Sequence, residues 1–131
     1  MEKHKARFVA HGFSNVEWID YDDTFAPIAR YSSIRSKLVL STHMVWKIHQ
    51  MGVKKTFLNG MIEEYGYTEK PEGFDTFDCE SHVCWLKRAL YGMKQAPRAW
   101  YTRIDSYFNR LVFTKSEADA NMYHIVVELS F

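Results

Sequence analysis

The 131 residues include only two cysteines, three prolines and six glycines. Two thiols, Cys79 and Cys84, are too few for the disulfide framework of a small secreted scaffold and suit a reduced intracellular compartment. With so little proline and glycine there is no low-complexity tract, and no internal repeat is visible. No apolar run approaches the ~20 residues that a membrane span requires. Met1 to Arg7 leads into no hydrophobic signal-peptide core. The chain therefore reads as intracellular, not secreted, and without a membrane partner. Charge of one sign is also missing: seventeen Lys and Arg against sixteen Asp and Glu leave a formal charge of +1. Bulk electrostatics thus give no reason to expect a nucleic-acid binder, and any such role must come from local charge. What remains is globular composition of single-domain length, 47% hydrophobic, 16% aromatic and 25% charged.

The near-zero total conceals a segregation. Between Glu63 and Glu80 seven acids face one lysine, net −6, whereas from Trp85 to Arg110 six bases face Asp105 alone, net +5. Two solvated faces would explain this. In the basic stretch, however, Trp85, Tyr91, Trp100, Tyr101 and Tyr107 alternate with the cations, and aromatic faces can stack bases while cations meet phosphates. The same aromatics would equally serve as the inner stripe of a helix.

Periodicity predicts a mixed α+β domain. Lys5 to Ala10 alternates as a strand that Gly12 ends, and residues 11–31 read as an irregular connection. Ser32 and Ser33 offer a helix N-cap, followed by Ile34, Leu38, Ser41 and Val45 at helical spacing. Strands are expected over Trp46 to Met51, residues 62–68, His82 to Leu86 and Met122 to Leu129, with a turn at Pro71 and Gly73. Pro97 suits the first turn of a helix whose Trp100, Ile104, Phe108 and Leu111 form one stripe.

Some tempting constellations do not carry chemistry. Cys79, His82 and Cys84 fall short of the four ligands of a structural zinc site. His43 and His49 have no serine or cysteine at motif spacing, so nucleophilic hydrolysis has no support. Tyr21-Asp22-Asp23 is turn chemistry rather than a metal motif.

Five stretches become specific when taken together: Lys5 to Phe13, Asp20 to Arg30, His49 to Gly60, Lys70 to Phe74, and Leu90-Tyr91-Gly92-Met93-Lys94-Gln95-Ala96-Pro97-Arg98-Ala99-Trp100-Tyr101, with Ser116 to Asp119 in addition. In this order they resemble the reverse transcriptase domain of copia-type long-terminal-repeat retrotransposons, from about Lys5 to Tyr123. The resemblance implies an RNA-directed DNA polymerase, with residues 1–131 forming the fingers and a partial palm: an antiparallel sheet backed by helices. It also implies two-metal nucleotidyl transfer with Mg²⁺, a template-primer of RNA or DNA, deoxynucleotides, and the other parts of a retroelement polyprotein as partners.

At the family's first catalytic aspartate, after His-Gln-Met, this chain has Gly52, which offers no carboxylate to a hard cation. The Tyr-x-Asp-Asp hairpin and the thumb are expected to lie beyond Phe131, so the chain alone is expected to be inactive and not to hold Mg²⁺ in catalytic form. Lys55 and Thr56 replace the usual threonine and alanine and add bulk beside the nucleotide position. Other matching positions keep binding chemistry. The resemblance assigns Arg7 to the incoming triphosphate, with Lys5 a weaker companion, since a guanidinium fork suits phosphate oxygens. Phe57 falls where an aromatic obstructs a 2′-hydroxyl. Gly92 and Lys94 fall in the segment that approaches the nucleotide, and Gln95 and Arg98 near the template. The alternative is a non-catalytic nucleic-acid-binding or interaction remnant, or a translated remnant without function.

Overall fold

The computed structural model describes residues 4–12, 16–19, 21, 24, 26–70 and 83–126. Their order is helix α1 (Tyr31–His43), a 3₁₀ turn (Phe57–Asn59), strands β1 (Met61–Thr68) and β2 (Cys84–Arg88), helix α2 (Ala96–Arg110), and strands β3 (Thr114–Lys115) and β4 (Tyr123–His124). β1 pairs with β2 and β3 with β4, both antiparallel, giving a small α+β chain. It divides into one unit of Met1–Phe25 with Lys55–Arg103, and another of Ala26–Lys54 with Ile104–Phe131. No helix among the described residues is long and apolar enough to cross a membrane.

In the first unit, β1 alternates as a half-buried strand should. Tyr67, facing Trp85 across the ladder, is exposed, while its neighbours Gly66 and Thr68 are turned inward. The register slips between Met61 and Gly66, an irregularity of the bulge type. Leu86 of β2 and Ile62 of β1 lean on a core of Ala89, Met93 and Ala96, joined by Ala10, Phe57, Leu90 and Ala99. Small side chains bring the backbones close, and unbranched Met93 fills what is left. α2 begins as expected, with Pro97 in the first turn, where its missing N–H costs nothing.

In the second unit, Ile104 and Phe108 continue the α2 stripe as half-buried residues. Phe108 packs in tilted contacts against Phe113 and Tyr123, at centroid separations of 5.5 and 4.7 Å. Leu111 leaves the stripe, because α2 ends at Arg110 and Val112 turns into the left-handed region at φ 63°. Asp105 on α2 fastens the β3–β4 hairpin: it accepts from the Tyr123 hydroxyl at 2.6 Å and pairs with Lys115 at 2.6 Å. The Lys115 and Tyr123 hydrogen bonds hold its carboxyl below the ordinary value, with Asn109 helping and partial burial opposing.

α1 forms where expected, but its cap is not Ser32 or Ser33. Arg30 stands at the N-cap and its side chain makes no capping bond. Asp119, 89 positions away, takes that role: it is 4% exposed and accepts from the Arg30 backbone N–H at 3.3 Å and the Asn121 N–H at 3.0 Å. The Ser33 hydroxyl also bonds this carboxylate and is the largest cause of its lowered pKa, followed by the Asn121 N–H.

At the other end of α1, Val45 has left the helix. The Trp46 N–H reaches the Ser41 carbonyl at 2.8 Å and the Val45 N–H the Thr42 carbonyl at 3.4 Å, a Schellman closure. It places a β-branched residue at φ 56°, where glycine is the usual occupant. Ser41 is the buried member of the α1 stripe, its hydroxyl bonded back to the Leu38 carbonyl at 2.8 Å, while Ile34 and Leu38 remain exposed.

Several strand expectations need correction. Lys5 to Ala10 makes only a single parallel bridge, Val9 with Tyr91. Trp46 to Met51 is no strand, because no ladder partner runs beside it among the described residues. β2 lies two residues later than the predicted His82 to Leu86, and His82 is outside the described residues. Of Met122 to Leu129 only Tyr123 and His124 pair, and residues 127–129 are outside the description, as are Pro71, Gly73, Asp20, Asp22, Asp23 and Cys79. The expected strand over 62–68 is β1.

Two outcomes follow for the second unit. Val45→Gly is expected to raise stability by about 0.5–1 kcal/mol in urea titration, since it removes a side chain from a left-handed position. The folded chain resists protonation at Asp119 more than the unfolded chain does. Its stabilisation is therefore full above the ordinary carboxylate value of about 3.9 and is lost as pH falls through the lower folded value. The urea midpoint of wild type should fall more steeply below pH 4 than that of Asp119→Asn; parallel profiles would contradict this.

Candidate functional site

The candidate binding residues lie in the first unit, gathered where the N-terminal segment crosses the link between β2 and α2. The Ala10 N–H donates to the Tyr91 carbonyl at 2.7 Å, next to the Val9–Tyr91 bridge. The approach is too close for side chains. A Cβ on Gly12 would overlap the Gly92 carbonyl, and one on Gly92, at φ +90°, would overlap the Ala10 carbonyl and come within 2.9 Å of Val9 Cγ1. Gly12 and Gly92 are thus required by the crossing itself.

The crossing sets two of the predicted residues on one ring. The exposed Arg7 guanidinium lies over Tyr91, its carbon 5.8 Å from the ring centroid. Phe57, half-buried in the 3₁₀ turn, meets the same ring at 5.8 Å and 77°, a T-shaped contact. Lys94 is exposed in the turn before α2, and Arg98 is exposed in the first turn of that helix. Gln95 is 3% exposed; its carbonyl accepts the first bond of the helix from Ala99 at 3.0 Å, and its side-chain Oε1 accepts none among the described residues. The sequence placed Tyr91 among the aromatics of the basic stretch and in the Leu90 to Tyr101 motif without a role; its place between Arg7 and Phe57 has no local signal. Gly12 was read as the end of a strand and is instead half of the glycine crossing.

Gly52 belongs to the second unit, is exposed, and has open space where a Cβ would stand.

Residues 1–127 match the family described as reverse transcriptase (RNA-dependent DNA polymerase). The chain belongs to the reverse transcriptase family. The chain is 40% identical over 121 residues to the retrovirus-related Pol polyprotein from transposon TNT 1-94 of Nicotiana tabacum, covering 92% of the chain and 9% of the relative. It is 37% identical over 123 residues to the Pol polyprotein from transposon RE1 of Arabidopsis thaliana, covering 94% and 8%. It is 31% identical over 109 residues to the transposon Ty1-ER2 Gag-Pol polyprotein of Saccharomyces cerevisiae, covering 79% and 6%. The copia-type resemblance therefore stands, and the chain spans under a tenth of the length of these relatives. No solved structure matches it.

Reverse transcriptases are metal-dependent polymerases, so the donor set matters. A hard divalent cation needs carboxylate oxygens in convergence. The Gly52 position supplies none, and among the described residues no three His, Cys, Asp or Glu side chains gather as a ligand group. Asp105 and Asp119 are engaged with a lysine, hydroxyls and backbone amides. The described residues do not fit a catalytic Mg²⁺.

The glycines separate cleanly by environment. Gly92→Ala should cost about 1–3 kcal/mol, the range for a side chain forced into a sparsely populated conformation, with overlap added. Gly52→Ala, set in open space, should stay within about 0.5 kcal/mol. Equal urea midpoints for the two variants would refute the crossing geometry.

Proposed function

We propose that this chain is the fingers and partial palm of a copia-type reverse transcriptase, one that retains nucleotide- and template-binding groups but performs no nucleotidyl transfer alone. The observation that carries the binding half is the convergence of Arg7 and Phe57 on Tyr91. Arg7 offers a charged fork for a triphosphate, and Phe57 offers a ring edge that excludes a 2′-hydroxyl by volume. The resemblance brings the segment of Gly92 and Lys94 to the nucleotide; Gly92 lies in the close crossing, and Lys94 is an exposed cation two residues on. Of the two residues assigned to the template strand, Arg98 is exposed and carries that reading, whereas Gln95 is buried. The inactive half rests on Gly52, where the shared metal ligand of the family has no side-chain carboxylate to offer.

A non-catalytic nucleic-acid-binding remnant is the second reading. It is favoured by the stretch from Val83 to Arg98, which carries Lys87, Arg88, Lys94 and Arg98, all exposed, and no acid.

Primer extension on an RNA template with Mg²⁺ tests the catalytic half: no extension is expected, and template-directed synthesis by this chain would overturn it. Retention of single-stranded RNA tests the binding half. Binding should weaken with salt, and Lys94→Ala with Arg98→Ala should shallow the salt slope by about 1.4 for two phosphate contacts on a single strand. Indifference to both changes would remove the template assignment.

A further inference from the structure

We propose that Tyr91 is a positioning residue that holds Arg7 and Phe57 against one ring and so couples the grip on a triphosphate to the exclusion of a 2′-hydroxyl. This rests on the nucleotide-binding reading above. Arg7 and Phe57 come from unrelated segments, the N-terminal strip and the 3₁₀ turn, and neither is set by its own secondary structure toward the other. An exposed arginine has several rotatable bonds and samples many rotamers unless something restrains it. Here the restraint is the Tyr91 ring, 5.8 Å from the guanidinium carbon. Phe57, also 5.8 Å from that ring, packs as well against the core of Ala89, Met93 and Ala96.

The ring is itself anchored through its main chain. The Tyr91 carbonyl accepts from the Ala10 N–H at 2.7 Å, its backbone bridges Val9, and the left-handed Gly92 follows directly. Tyr91 is therefore fixed by the same crossing that delivers Arg7, and Arg7 cannot be placed without it. The hydroxyl enters neither interaction. A phenyl ring should serve equally, whereas an aliphatic group of similar bulk should not, because it has no quadrupole to attract the guanidinium.

The experiment compares the 131-residue chain with Tyr91→Phe and Tyr91→Leu by two measurements. The first needs no nucleotide: the Arg7 side-chain methylene protons should be shifted upfield by the ring current in wild type and Tyr91→Phe, and return to ordinary positions in Tyr91→Leu. A folded wild-type chain without that shift overturns the proposal, even if the leucine variant fails to fold. The second is titration with dGTP and with GTP. Tyr91→Leu should weaken dGTP by about three- to tenfold, the scale of a lost cation–π restraint, and narrow the preference of dGTP over GTP. Tyr91→Phe should leave both within about twofold, and Arg7→Ala should weaken the two nucleotides alike. Weaker binding by Tyr91→Leu with an unchanged preference overturns the coupling. A wild-type chain that shows the ring-current shift but binds neither nucleotide supports the positioning role and overturns the nucleotide reading.

Discussion

The close crossing of backbone at Ala10 to Gly12 over Tyr91 and Gly92 is the constraint on which the first unit depends. Its hydrogen bond is ordinary, but its spacing is not: it exists only because neither Gly12 nor Gly92 has a side chain. The crossing brings an exposed, irregular N-terminal segment onto the link that leads into α2. From there the small core of Ala89, Met93 and Ala96 packs, the 3₁₀ turn leans on it, and the hairpin of β1 and β2 covers it. A larger residue at either glycine would separate Arg7 from the ring it lies over, so packing and candidate chemistry share one cause.

The second unit is organised by two carboxylates rather than by close backbone approach. Asp105 ties α2 to both strands of the β3–β4 hairpin, and Asp119 ties the loop of that hairpin to the start of α1. α1 lacks a capping side chain of its own and ends on a strained valine, so local sequence leaves both of its ends weak. Supplying the cap from a distant aspartate makes the helix conditional on the hairpin being in place. That explains why Ser33, a plausible cap by local rules, instead donates to Asp119.

Elements whose stability is local were legible. The α2 stripe and Pro97 in its first turn follow from spacing and from the chemistry of one residue type, and the strand expected over 62–68 is β1. The strand predicted over Trp46 to Met51 was not, because alternation states only which residues would share a face; a strand also needs a neighbour to bond with. Lys5 to Ala10 met such a neighbour at a single residue, Val9. Among the candidate residues, Arg7, Phe57 and Lys94 could be read from the chain, while the meeting of Arg7 and Phe57 on the Tyr91 ring could not.

By itself, the order of motifs from Lys5 to Tyr123 determined the family, and residue 52 is a glycine, with no side-chain carboxylate. Both are statements about which atoms are present, and covalent structure settles them. Only the tertiary structure decided that Arg7 and Phe57 share Tyr91, that Gly12 and Gly92 are required together, and that Asp119 caps a helix 89 positions away. Those outcomes depend on where the chain returns to itself, and no pattern among neighbouring residues encodes that distance.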